Sequence, residues 1–418
     1  MTQRGDEPAA PRARFVLALL LLAYIFNFLD RQILGILTEP IKADLHLSDS
    51  DWGLIGGPAF AVLYALLGLP LAYLADRTSR STVIACAVAV WSAFTALCGV
   101  AGSFWQLFLF RMGVAVGEAG GVAPSYALIA DYFPPQRRAR ALAIYSLGIP
   151  LGLAGGALLG AYLAASLGWR KAFLVMGVAG LLLAPAMRIL VRDLPRPSIA
   201  NQAPTSEVFL LLARKPSFWL MAFAAASSSL IGYALALWVP AVMMRSYGLD
   251  LVTTGQYLSS LLLIGGTVGV FAGGWFADRL GKHDRAWYAR LPAIAWIVAA
   301  AAWALGLVAP SLTIAWPLLL IGNALNILWL GPVVTAVQHL APARMRSTAS
   351  GCFLLINNLI GLSGPFVLGL LSDSMKQAYG ADALRKAALY GTAFYVLAAI
   401  LMLFAVRCLR ADWVADQT

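Results

Sequence analysis

Twelve apolar stretches, each near the length of one bilayer crossing, dominate this chain. They lie near residues 15–38, 52–75, 81–101, 103–130, 138–165, 169–191, 217–244, 252–277, 287–309, 312–340, 346–372 and 384–408. A helix rises about 1.5 Å per residue, so a hydrocarbon layer of about 30 Å takes about 20 residues to cross. Nearly all of the 418 residues are consumed in this way, and 61% of them are hydrophobic against 12% charged. A soluble sphere of this size cannot hide that much apolar surface, and a disordered chain does not carry it. The expected fold is all-α, a polytopic membrane protein with twelve transmembrane helices. The opening MTQRGDEPAAPRAR is polar and the apolar run behind it is too long for a signal peptide's core, so no cleavable leader is expected.

One sizeable polar stretch, rich in Pro, Ser and Asn, covers 192–216 and splits the spans six and six. The expected organisation is an N-terminal six-helix bundle over 1–191, a cytoplasmic linker over 192–216 and a C-terminal six-helix bundle over 217–418. Basic residues fix the orientation. Of the 30 Lys and Arg, 21 fall at the N-terminus, the even-to-odd loops, the linker and the C-terminus, 7 fall in the opposite loops, and Arg31 and Arg111 lie inside spans. Cytoplasmic loops carry the basic excess, so both termini are expected in the cytoplasm of a cell-membrane protein. The net charge of +11 is therefore a topology signal and implies no nucleic-acid partner.

The two halves echo each other. AYLADRTSRS follows the second span and GWFADRLGKH the eighth, with Asp76 and Asp278 202 residues apart. Arg138 and Arg140 recur as Arg344 and Arg346, 206 residues on. A shared offset at two loops indicates duplicated, pseudo-symmetric bundles. Glycines at four-residue spacing line span 4 (Gly113, Gly117, Gly121), span 5 (Gly148, Gly152, Gly156, Gly160) and span 8 (Gly265, Gly269, Gly273). Such ladders let backbones approach closely, either as static packing or as a smooth seam on which the halves rock.

Charges inside a bilayer are costly, so each one is a functional candidate. Four qualify: Asp30 and Arg31 in span 1, Arg111 and Glu118 in span 4. Arg111 and Glu118 are seven residues apart, on one helix face but separated by about 10.5 Å of rise. Asp30, water or a substrate is expected to complete the circuit between them. A buried carboxylate trades a proton for a guanidinium partner as its surroundings change. Asp30, Glu118 and Arg111 are thus the expected proton-coupling set, with Arg31, Asn27 and Arg111 facing a substrate. The C-terminal half offers no membrane charge, only amides, among which Asn323 and Asn357 are the candidate ligand contacts.

Cys86, Cys98, Cys352 and Cys408 lie in apolar runs without metal or disulfide spacing, and three scattered histidines make no metal site. No cofactor is expected. No His-Glu-x-x-His, Gly-x-Gly-Asp or P-loop occurs, which argues against an intramembrane enzyme or a built-in ATPase. A channel is disfavoured by the duplicated halves.

Over its whole length the sequence resembles the major facilitator superfamily. The resemblance rests on Asp76-Arg77 with Arg80, and on Gly274-Trp-Phe-Ala-Asp278-Arg279-Leu-Gly281-Lys282. It implies a cytoplasmic gate at Asp76, Arg77, Asp278 and Arg279. Within the superfamily the chain is similar to the spinster group of lipid transporters. The matching segments are Phe26-Asn27-Phe28-Leu29-Asp30-Arg31, Arg111-Met-Gly-Val-Ala-Val-Gly-Glu118 and Ile149-Pro150-Leu151-Gly152, with Gly364-Pro365 and Asp373. The resemblance implies proton-linked movement of lysophospholipids or sphingoid phosphates through Asp30, Arg111 and Glu118, with Arg31 near the headgroup. Animal members usually carry a glutamate and a histidine where this chain has Asn323 and Asn357. The expectation is a monomeric secondary transporter using alternating access, whose partners are protons, the lipid bilayer and an amphipathic substrate. An organic-anion or sugar-acid carrier, with Arg31 and Arg111 on a carboxylate, is the alternative.

Overall fold

A computed structural model describes residues 12–194, 205–342 and 345–414. Arg4, Arg196, Arg344 and the middle of the expected linker lie outside the described residues. Among those described, every regular element is helical and no strand occurs. Eleven helical stretches are long and apolar enough to cross a membrane, the last running 65 residues from Thr348 to Asp412. That last stretch would be about 97 Å long as one straight helix, roughly three times the hydrocarbon layer and too long for a single crossing. It turns back at Gly380, whose φ of 53° suits glycine, so the chain makes the twelve expected crossings.

In chain order the helices are α1 Ala13–Ile36, α2 Thr38–Leu45, α3 Asp49–Gly56, α4 Pro58–Arg77, α5 Arg80–Cys98, α6 Phe104–Ala119 and α7 Val122–Tyr132. Then come α8 Pro135–Ser146, α9 Gly148–Leu167, α10 Trp169–Leu190, α11 Thr205–Ala213, α12 Pro216–Tyr247, α13 Leu251–Ser260 and α14 Gly266–Gly281. The last are α15 Trp287–Val308, α16 Leu312–Ile327, α17 Leu330–Gln338, α18 Arg346–Gly361, α19 Gly364–Tyr379, α20 Ala383–Gly391 and α21 Ala393–Asp412. Their starts follow local chemistry. Ser79 caps α5 through Thr82 N, Ser103 caps α6 through Gln106 N, and Ser48 with Asp51 forms a capping box on α3.

The halves repeat their helix breaks as well as their loops. Span 2 breaks at Gly57 and span 8 at the π-turn Leu261–Gly265; span 4 breaks at Gly120-Gly121 and span 10 at Leu328-Trp329. Span 5 breaks at Leu147 and span 11 at Leu362-Ser363. Discontinuous helices at corresponding places in two repeats mark the ligand region of transporters.

The chain divides into two compact units, Met1–Leu47 with Ala59–Ser198, and Ser48–Pro58 with Ile199–Thr418. The segment Ser48–Pro58 opens the second span by sequence yet packs within the second unit. Its α3 is held there by Asp49, only 3% exposed. Asp49 accepts from Arg245 Nη1 and Nη2 at 3.0 and 2.9 Å and from Ser372 Oγ at 2.6 Å. Asp373 in turn accepts from the first backbone N–H groups of α3, Ser50 N at 2.7 Å and Asp49 N at 3.2 Å, where a carboxylate also meets the positive end of the helix dipole.

Each glycine ladder is spent inside its own unit. A Cβ at Gly117 would sit 2.4 Å from Trp91 N on α5; at Gly152, 2.5 Å from Ile25 O and at Gly156, 2.6 Å from Leu29 O, both on α1; at Gly269, 2.1 Å from Ala324 O on α16. The ladders are tight packing within a bundle, the first of the two readings of their spacing. Side chains such as Leu182 and Ile189, about seven-tenths exposed, form the apolar outer surface.

Candidate functional site

Helix α1 sits on α9 with no gap for side chains, because Gly148, Gly152, Gly156 and Gly160 face it. That contact fixes the register of Asn27, Asp30 and Arg31 in the first unit. Asp30 and Arg31 are about 100° apart around the helix, so they reach different neighbours. Asp30 Oδ2 accepts from Thr95 Oγ1 on α5 at 2.9 Å, and Arg31 Nε donates to Glu118 Oε2 on α6 at 2.7 Å. Glu118 is wholly buried, while the Arg31 side chain keeps 18% exposure. Glu118 ends α6 two residues before its Gly120 C-cap. A carboxylate there faces the negative end of the helix dipole, and the Arg31 guanidinium compensates it.

The expected circuit between Arg111 and Glu118 therefore takes a different form. Glu118 draws its partner from span 1, not from its own helix, and Asp30 is held by a neutral hydroxyl. Arg111, 3% exposed, lies within electrostatic range of both carboxylates. Asn27 Oδ1, Asp30 Oδ1, Glu118 Oε1 and Arg111 Nε are buried and find no hydrogen-bond partner among the described residues. Each such atom costs about 1–3 kcal/mol, and native proteins carry that cost mainly where a site needs it.

Aromatic rings complete the site. The Arg31 guanidinium carbon is 5.1 Å from the Phe28 ring centre, 4.7 Å from Phe60 and 4.8 Å from Tyr64. Phe60 also faces Arg111 at 5.7 Å, and Phe60 and Tyr64 stack at 5.1 Å. Thr95, Phe60 and Tyr64 were missed by the sequence reading. Phe60 and Tyr64 sit four apart on α4 in a run of similar apolar residues, so nothing marks them. Thr95 and Ser92 stand out as hydroxyls three apart on one face of span 3, a signal that was there to be read.

The amides of the second unit bond their own neighbours. Asn323 Nδ2 donates to Leu261 O at 3.1 Å, at the π-turn of span 8, and Asn357 Oδ1 accepts from Ser229 Oγ at 2.9 Å. These bonds join helices, leaving only the remaining atoms of each amide for a ligand. At the expected gate, the side chain of Asp76 lies outside the described residues. Arg77 lies over Tyr73 at 4.2 Å and Arg279 over Trp275 at 5.6 Å, the same four-residue stacking in both repeats, and Asp278 is exposed. No cluster of metal-ligating residues occurs among the described residues.

Residues 20–365 match the profile of the Major Facilitator Superfamily. An MFS-type efflux pump of Mycolicibacterium smegmatis (strain ATCC 700084 / mc(2)155) is 36% identical over 411 residues, covering 97% of this chain and 94% of that one. The hexuronate transporter of Bacillus subtilis (strain 168) is 26% identical over 379 residues, covering 88% of this chain and 89% of that one. Among solved structures, a bacterial homolog to the human lysosomal transporter Spinster, in an inward-facing and unoccupied conformation, superposes with a TM-score of 0.88. It is 30% identical, covering 98% of this chain and all of that one. The chain belongs to the Major Facilitator Superfamily and resembles its spinster members.

Proposed function

We propose that this transporter, which as a superfamily member works by alternating access, couples transport to protons through Asp30, Glu118 and Arg111 and moves an amphipathic, lipid-like substrate. The observation that carries the reading is the unequal treatment of two buried carboxylates. Glu118 holds the Arg31 guanidinium, whereas Asp30 holds only a hydroxyl, with Arg111 in range of each. With Arg31 committed to Glu118, Asp30 depends on Arg111 or on a proton, and whichever carboxylate Arg111 leaves takes up the proton. Exchange of partners moves the proton. The rings around Arg31 give a cationic centre in an apolar wall, suited to a headgroup on a hydrocarbon tail. Asn27, Asn323 and Asn357 supply further substrate contacts. The protein acts as a monomer in the cell membrane with both termini in the cytoplasm.

A second reading, a carrier of organic or sugar acids, is favoured by the similarity to a hexuronate transporter, since a guanidinium fork matches a carboxylate. Thermal-shift titration of the detergent-solubilised protein with lysophosphatidylcholine and with glucuronate separates the two. Stabilisation by the lysolipid supports the first reading; stabilisation by glucuronate alone, lost in Arg31→Ala, establishes the second. In counterflow of the stabilising ligand, Asp30→Asn and Glu118→Gln are expected to keep exchange while losing accumulation.

A further inference from the structure

At the basic end of the first unit, α10 stops at Leu190 and the chain continues as an extended segment, Val191 to Leu194. This segment is pinned. Asp193 accepts from Ser79 Oγ, and from Ser81 N and Oγ at 3.2 Å each, so its carboxylate caps the start of α5. Tyr132 Oη donates to Arg192 O at 2.6 Å, and Val191 is buried. The pinned segment borders an open cavity of about 570 Å³ whose lining includes Ser79, Ser81, Arg188, Ile189, Arg192 and Asp193.

Three features of this cavity belong together. Arg188 and Arg192 are exposed, and neither guanidinium forms an ion pair or hydrogen bond among the described residues. The one acid in the lining, Asp193, is already engaged by the α5 cap, so the cavity keeps a net positive charge. The same rim carries Ile189, 72% exposed, with Leu190 and Leu182 beside it on the outer apolar face. Two unengaged guanidiniums bordering a groove between two spans, with bare hydrocarbon alongside, match a phosphate whose ester chains run down the helix. Basic pockets between spans on the cytoplasmic side bind anionic headgroups in this way, and a guanidinium takes phosphate oxygens two at a time.

We propose that Arg188 and Arg192 form a binding site for the phosphate of an anionic phospholipid, bound as a fixed lipid and separate from the transport site around Glu118. Purified full-length protein, stripped of lipid in detergent, is incubated with equimolar phosphatidylglycerol and phosphatidylcholine, and retained lipid is counted by native mass spectrometry. Wild type is expected to retain phosphatidylglycerol at least fivefold over phosphatidylcholine, and R188Q/R192Q is expected to lose that preference. R137Q/R140Q, which removes as much charge from another loop, is expected to keep it. Should R188Q/R192Q fail to fold, the wild-type preference is followed with added salt, where it is expected to fall as phosphate contacts are screened. Equal retention of the two lipids, an unchanged preference in R188Q/R192Q, an equal loss in R137Q/R140Q, or insensitivity to salt overturns the proposal. Inorganic phosphate raising the melting temperature as much as phosphatidylglycerol overturns it too, by making the ligand a free anion.

Discussion

At the scale of single residues, the bilayer is what makes this sequence readable. In an apolar solvent a charge is expensive enough to stand out, so Asp30, Arg31, Arg111 and Glu118 could be named without a structure. Their pairing could not. A seven-residue spacing speaks only about one helix, and the partner of Glu118 comes from another, placed by α1 lying on the α9 glycines. The rings around Arg31 were illegible for the opposite reason: one more Phe or Tyr in an apolar run carries no contrast. They give the sharpest residue-scale prediction. Phe60 lies against both Arg31 and Arg111, and a desolvated cation–π contact contributes about 1–2 kcal/mol. Phe60→Leu is expected to lower kcat/KM of uptake by about 5- to 30-fold with Phe60→Tyr near wild type. An unchanged kcat/KM in Phe60→Leu would remove the ring from the account.

At the scale of elements, the glycine ladders were legible as close-approach faces, but periodicity does not name the helix approached. The α1–α9 contact allows a controlled test on neighbouring residues. A Cβ at Gly156 would meet Leu29 O at 2.6 Å and Gln32 Cβ at 2.9 Å, whereas at Gly155 it meets nothing closer than 4.0 Å. Gly156→Ala is expected to cost about 1–3 kcal/mol and to displace the segment carrying Asp30 and Arg31. Gly155→Ala is expected to be neutral or slightly stabilising. Melting temperature and uptake, measured on both, check this.

A second element-scale device lies in the loop between α14 and α15. Asp284 accepts from Arg410 on α21, from Ala286 N at 2.9 Å and from Arg290 at 3.1 Å. The Arg410 hydrogen bond, then the Ala286 N–H, hold its carboxyl down to about 2. Because the folded-state value lies below the ordinary one, the clasp's stabilisation is complete above about pH 4 and is lost as pH falls toward about 2. Arg410 is largely exposed, so solvent screens the clasp and keeps the effect small. The melting-temperature gap between wild type and Asp284→Asn is expected to be open at pH 6 and to narrow on acidification to pH 2.5.

For the whole molecule, the six-and-six duplication was written in the loop motifs, and the structure extends it to matching helix breaks. The assignment of Ser48–Pro58 was not legible, because continuity with the second span suggests the first bundle, while long-range bonds to Arg245, Ser372 and Asp373 hold it in the second unit. Removing one partner of a buried, hydrogen-bonded charge pair costs more than the pair contributes. Asp49→Asn is expected to lower stability by about 2–4 kcal/mol, read by melting temperature, with Asp51→Asn much milder.

The central claim is that the carboxylates at Asp30 and Glu118 exchange a proton as substrate moves. The direct measurement is lumenal pH in proteoliposomes loaded with a pH-sensitive dye, with an imposed pH gradient and lysophosphatidylcholine added outside. Substrate-dependent proton movement is expected in wild type, with loss of at least tenfold in Glu118→Gln and in Asp30→Asn. Lysolipid uptake that proceeds at the same rate with and without the gradient, and moves no protons, would contradict the account.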